Sequence, residues 1–191
     1  MKMKTTLLVS ALALSGAAFA QTKAPEPDYT LSYNVGAVTE YRYRGISQSG
    51  KKPALQGGVD FAHKSGLYLG AWGSTITWIK DSAAAPASAK GPLEVDLYGG
   101  YKGEITSGLS FDVGVITYQY PNNTADRVLV NANTTEVYGA LTFGIVTVKY
   151  SQSTGNFIAN PNSSGSSYIE MAAAFDLGGG FSLTPHIGRQ T

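Results

Sequence analysis

An all-β, antiparallel, up-and-down transmembrane β-barrel is the fold class this sequence predicts, and three observations predict it. Beyond residue 30 the chain runs in short stretches whose apolar and polar residues alternate with period two. The connections between those stretches alternate long and short, as they do in barrels with short periplasmic turns and long outer loops. Composition is the third: 23 glycines and 12 tyrosines beside only 14 % charged residues favour strands over an amphipathic helical bundle.

The first twenty residues stand apart. Lys2 and Lys4 precede an apolar run from Leu7 to Leu14 and a small-residue stretch ending Ala18-Phe19-Ala20. A basic start, a short apolar core and an A-x-A site make Met1–Ala20 a secretory signal peptide, too short in its apolar part to span a bilayer. Residues 21–30, with Pro25 and Pro27, read as an extended leader, and residues 31–191 as the barrel domain. The exported chain has no cysteine, so it has neither disulfides nor thiolate chemistry. Its charge is near neutral and dispersed, without the basic patch that nucleic acid requires. No later apolar run suits a transmembrane helix, which leaves barrel strands as the way to cross a membrane.

Strand one is expected over Leu31–Arg44. Leu31, Tyr33, Val35, Ala37, Thr39, Tyr41 and Tyr43 fall on one face, and Ser32, Asn34, Gly36, Val38, Glu40, Arg42 and Arg44 on the other. After a polar loop, strand two (Ala54–His63) sets Leu55, Val59 and Phe61 against Gln56, Gly58 and Asp60, then turns through His63-Lys64-Ser65-Gly66. Strand three (Leu67–Ile79) is ambiguous, because Leu67, Leu69 and Ala71 compete with Tyr68, Trp72, Ile76 and Trp78, and a bulge would reconcile them. Strands four (Leu93–Lys102) and five (Leu109–Tyr120) alternate cleanly, followed by strands six (Thr135–Phe143) and seven (Ile145–Ser151). Strand eight (Ser167–Leu177) turns at Gly178-Gly179-Gly180 into strand nine (Phe181–Gly188). About nine strands are visible.

Which face meets water decides the function. A soluble sandwich sends its polar face to bulk solvent, whereas a membrane barrel puts its apolar face on lipid and its polar face on a wet lumen. Export and the loop rhythm favour the second, with Tyr33, Val35, Tyr41 and Tyr43 facing lipid or an aromatic girdle.

Several motifs also resemble a known family. Thr39-Glu40-Tyr41-Arg42-Tyr43-Arg44-Gly45-Ile46-Ser47-Gln48, Pro53-Ala54-Leu55-Gln56-Gly57-Gly58 and Ser65-Gly66-Leu67-Tyr68-Leu69-Gly70-Ala71-Trp72-Gly73-Ser74 occur in order. Glu94-Val95-Asp96-Leu97-Tyr98-Gly99-Gly100-Tyr101-Lys102-Gly103 and Leu109-Ser110-Phe111-Asp112-Val113-Gly114-Val115 follow. Together they resemble the N-terminal half of the TorF-type porins of Gram-negative outer membranes. The resemblance implies an outer-membrane location and contact with outer-membrane lipid. It also implies further strands, since that family ends on an aromatic residue and this sequence ends Ile187-Gly188-Arg189-Gln190-Thr191. Bacterial barrels have even strand numbers, so a count of nine means either missing strands or a true number of eight or ten.

On this reading Glu40, Arg42, Arg44, Asp60, Glu94, Asp96, Asp112, Glu136, Lys149 and Glu170 line the interior. They either set the preference of a pore for small solutes or ions, or pair with one another and fill a small closed barrel. No cofactor, metal centre or catalytic residue is expected. The two histidines, His63 and His186, lack a local nucleophile–base signature and are too few for a metal site. The sequons at Asn122, Asn133 and Asn162 read as turn chemistry, and Asn122–Asp126 lacks calcium-loop spacing. The expected function is passive diffusion of small hydrophilic solutes across the outer membrane. Two alternatives stand beside it: a soluble lipocalin-like barrel binding an apolar ligand, and a closed structural or adhesive barrel. Gly70-Ala71-Trp72 resembles the lipocalin Gly-x-Trp motif but lies on strand three instead of strand one.

Overall fold

A computed structural model of the chain describes residues 27–82, 90–123 and 130–191; the signal-peptide segment, most of the leader and part of Asn122–Asp126 lie outside them. The elements in chain order are β1 (Tyr29–Val38), β2 (Arg42–Tyr43), β3 (Ile46–Ser47), β4 (Ala54–His63) and β5 (Leu67–Thr75). A one-turn helix α1 (Trp78–Asp81) precedes β6 (Leu93–Thr106), β7 (Leu109–Gln119), β8 (Thr134–Phe143) and β9 (Val146–Ser153). The last are β10 (Ser167–Ala173), β11 (Phe175–Gly178), β12 (Phe181–Leu183) and β13 (His186–Gln190). Nine strands form one antiparallel sheet in the order β1-β4-β5-β6-β7-β8-β9-β10-β13. The chain is therefore an all-β meander, and each sheet strand overlaps one strand read from the alternation.

Strand eight breaks at Ala174 into β10 and β11, and β11 leaves the main sheet to pair with β12. Three further elements depart from expectation for identifiable reasons. Strand one stops at Val38, and residues 42–47 fold back as the small β2–β3 hairpin, with Arg42 opposite Ser47 and Tyr43 opposite Ile46. Its two-residue loop, Arg44-Gly45, has φ of 47° and 81°, the pair of positive angles a type I′ turn requires. A strand cannot continue through two left-handed residues. Strand three needs no bulge: β5 ends at Thr75, and Ile76 and Trp78 leave the sheet to pack elsewhere. Strand nine is broken into β12 and β13 around Pro185, which has no N–H for the ladder.

The sheet is polar inside and apolar outside. Leu67, Leu69, Leu97, Tyr101, Val113, Val115, Val137, Leu141, Val146, Val148, Ile169, Met171 and Ile187 are all exposed and share one face by register. Ser74, Glu94, Asp96, Tyr118, Glu136, Ser151, Ser153 and Tyr168 are buried on the other. The inner face curls around the β2–β3 hairpin. Tyr41 meets Trp72 of β5 and Glu94 of β6, while Arg44 meets Glu136 of β8 and Gln190 of β13. In a flat sheet the six steps from β5 to β13 would cover about 29 Å, at ~4.8 Å per strand. Three extended residues reach only about 11 Å. Curvature closes the difference.

The curl does not complete a barrel. Among the described residues, β1 and β13 each have one neighbour in the sheet and do not pair with one another. In a nine-strand antiparallel meander the first and last strands point the same way, so joining them would demand a parallel pair instead of an antiparallel one. The connections β1–β4, β5–β6, β7–β8 and β9–β10 lie at one end of the meander, the β11–β12 hairpin at the other, and residues from three of those four connections build the compact apolar core. Ile76, Ile79, Tyr120, Ala132 and Ala159 pack there with Tyr118, and Tyr41, Tyr43, Trp78, Ile116 and Ile158 lean against them.

Candidate functional site

The inner face is built by a repeated cross-strand device. Tyr98 lies over Gly70, Tyr68 over Gly100 and Tyr138 over Gly114, and in each case the two residues are direct partners on adjacent strands. Tyr168 covers Gly188 diagonally in the same way. A tyrosine ring lies flat only where its neighbour has no side chain, so glycine lets the rings tile the wall and aim their hydroxyls inward. These hydroxyls then serve the acids. Tyr98 donates to Asp60, and Tyr68 donates to Asp112 Oδ1 at 2.5 Å. Tyr68 has one hydrogen, so Tyr138, also 2.5 Å away, donates to Tyr68 in turn.

Two charged groups dominate the loop end. The guanidinium of Arg44 makes a two-pronged contact with Glu136, Nη1 to Oε1 at 3.0 Å and Nη2 to Oε2 at 2.8 Å, and also donates to Gln190 Oε1 at 2.8 Å. The rings of Tyr43, Phe157 and Tyr168 surround it at 4.8, 5.1 and 4.3 Å. Glu136 also accepts from Tyr118 at 3.0 Å and is fully buried. The pair thus links the hairpin tip to β8, β10 and β13. On the other side, Tyr41 donates to Glu94 Oε1 at 3.1 Å. Burial, then the neighbouring Glu94 and Asp96, hold the Tyr41 phenol far above its ordinary pKa, so it remains a donor.

Most of the expected interior residues do face inward, but not as one ring. Asp60, Glu94, Asp96, Asp112, Glu136, Lys149 and Glu170 occupy the inner positions of their strands. Lys149 stands opposite Glu170 and lies 4.3 Å from the Tyr138 ring. Glu40, Arg42 and Arg44 separate, because the strand that would have aligned them ends before they begin. Arg42 pairs with Glu40 at 3.0 Å and caps Gly45 O, leaving its side chain 51 % exposed against 11 % for Arg44. Tyr41 and Tyr43 correct the expectation of lipid-facing residues, since both turn inward with the hairpin; Tyr43 donates to Tyr118 at 3.0 Å. Tyr33 and Val35, still on β1, are exposed.

Alternation puts Tyr98 on the face of Glu94 and Asp96, and Tyr168 on that of Glu170, but it does not single out these two, Tyr68 or Tyr138 as lining residues. The signal was available as glycine on the adjoining strand, but it requires the register. The turn reading of the asparagines fits: Asn122 and Asn162 have φ of 55° and 56°, and Asn133 Oδ1 accepts from Tyr120 N at 2.9 Å. His63 Nδ1 lies 2.8 Å from Ser65 Oγ in the turn after β4.

The different roles of the two arginines give a direct expectation. Arg42→Ala removes an ion pair that solvent and salt screen, and leaves the urea-unfolding midpoint and the protease resistance of residues 39–53 nearly unchanged. Loss of the fold in that variant would show that the hairpin depends on the Glu40–Arg42 contact.

A family model described as "Bacterial protein of unknown function (Gcw_chp)" matches residues 22–191. No curated protein and no solved structure matches the chain.

Proposed function

We propose a transport role for this chain, which belongs to the Gcw_chp family of bacterial proteins of unknown function: its sheet is the wall of an outer-membrane β-barrel. The polar face lines a passage for small hydrophilic solutes or ions, and the hairpin within residues 39–53 narrows that passage. The observation that carries this reading is the inverted sheet. Its large apolar side chains are exposed on one face, while Glu94, Asp96 and Glu136 are buried on the other. A lipid environment makes that distribution favourable, and bulk water makes it costly. Near the short-turn end the outward positions carry Tyr29, Phe61, Tyr101, Phe111 and Phe143, the residues of an interfacial girdle. The TorF-like motifs and the signal-like start support the same location.

The lipocalin-like alternative requires an apolar lining, and the inner face offers carboxylates and phenols instead. The closed-barrel alternative keeps one observation in its favour. The hairpin fills the loop end and is tied down by Arg44–Glu136 and Tyr41–Glu94. In either membrane reading the free edges of β1 and β13 need strand partners, because unpaired backbone is costly in lipid.

Fractionation and planar-bilayer recording test the proposal together. Recovery in the outer-membrane fraction, heat-modifiable gel mobility and discrete conductance steps are the expected results. Recovery as a soluble, ligand-loaded monomer would overturn the membrane assignment. Membrane insertion without conductance would overturn the passage and favour the closed barrel.

A further inference from the structure

We propose that Glu94 and Asp96 form a binding site for one hard divalent cation at the loop end of the inner face. The two acids sit at alternate positions of β6 and therefore point to the same side, about 6.8 Å apart along the strand. Both are buried, with 1 % and 7 % of their surface exposed. Glu94 Oε2 and Asp96 Oδ1 are buried and, among the described residues, have no hydrogen-bond partner.

Their described neighbours do not neutralise them. The strand partners of Glu94 and Asp96 on β5 are Ser74 and Trp72, and Asp96 faces Tyr118 on β7. The Tyr41 hydroxyl approaches from the hairpin but is directed to Glu94 Oε1. Among the described residues no cationic side chain acts on either carboxylate. The contrast with Glu136 is informative, since that buried acid has its own arginine. An isolated buried carboxylate is costly, and two on one strand face more so. A proton on one acid removes that charge yet leaves the other oxygen bare. A cation between Oε2 and Oδ1 satisfies both.

The donor set indicates the kind of cation. Two carboxylate oxygens, with neither nitrogen nor sulfur at hand, suit calcium or magnesium and not a zinc-type centre. Among the described residues no group of three or more His, Cys, Asp or Glu converges. Water must complete the coordination, so affinity is modest, with Kd on the order of 10⁻⁴ to 10⁻³ M for calcium. The site does not depend on whether the interior conducts.

Terbium(III) luminescence on the detergent-refolded full chain tests it, with Tyr41 and Trp72 as sensitisers and calcium as competitor. The expected result is a saturable signal that calcium displaces, with affinity weakened at least tenfold in Glu94→Gln/Asp96→Asn. It should remain unchanged in Glu104→Gln, an exposed acid on the same strand. A signal insensitive to the double substitution, or no saturable signal in the wild type, would overturn the proposal. Should the double variant fail to refold, the wild type decides alone. Calcium at millimolar concentration should raise its thermal midpoint, and no rise refutes the site.

Discussion

Arg44→Ala is expected to release the β2–β3 hairpin and destabilise the protein by about 3–5 kcal/mol, the cost of leaving a buried charge without its partner. Glu136 is that charge. It is fully buried, and its two oxygens each accept from Arg44. Arginine also fills the space between the Tyr43, Phe157 and Tyr168 rings, so lysine is a poor substitute. It keeps the charge but loses the fork and the stacking. The joint replacement Arg44→Met/Glu136→Leu removes both charges while keeping volume, and should recover most of the stability. Urea unfolding of the detergent-refolded chain reads the first effect, and limited proteolysis within residues 39–53 reads the release. An Arg44→Ala midpoint equal to that of wild type would show that the Arg44–Glu136 contact does not hold the hairpin. On the pore reading, the same variant should increase single-channel conductance by vacating the constriction.

The second large effect concerns the glycines under the tyrosines, and it comes in two kinds. The atoms nearest to a Cβ on Gly70 would all belong to the Tyr98 side chain. At Gly114 it would meet the Tyr138 hydroxyl and also the backbone oxygen of Gly99, both at 2.6 Å. Side chains can be trimmed, whereas a neighbouring strand's backbone cannot move without breaking its ladder. Gly70→Ala and Gly114→Ala should each cost about 1–3 kcal/mol or more through overpacking. Adding Tyr98→Ala should relieve the first clash, and adding Tyr138→Ala should leave the second. A double-mutant cycle in urea gives the two coupling energies. Equal relief at both sites would contradict the backbone contact at Gly114.

Period-two alternation located the nine strands, and the long–short rhythm located the end that carries the loops. Both signals are local, because successive side chains on a strand must point to opposite faces whatever the rest of the chain does. For the same reason Asp60, Asp96, Asp112 and Lys149 were assignable to one face. Alternation failed wherever the chain left the sheet. Thr39–Arg44 continues the pattern of β1 for six more residues, yet the Arg44-Gly45 turn folds that segment inward. Apolar residues therefore had two possible uses, and Tyr41, Tyr43, Trp72 and Trp78 serve the interior and the loop-end packing instead of the outer surface.

Sequence by itself thus determined the all-β class, the order of the strands, which residues share a face, and which end gathers the long connections. Each follows from the geometry of a single strand or turn. Only the tertiary structure decided which acids are partnered. The reach of Arg44 from the hairpin to β8 and β13 spans 92 and 146 residues of sequence. Nothing local encodes a contact that exists because a sheet curls. The bare oxygens of Glu94 and Asp96 arise in the same way: the curl buries both acids and brings Arg44 to Glu136.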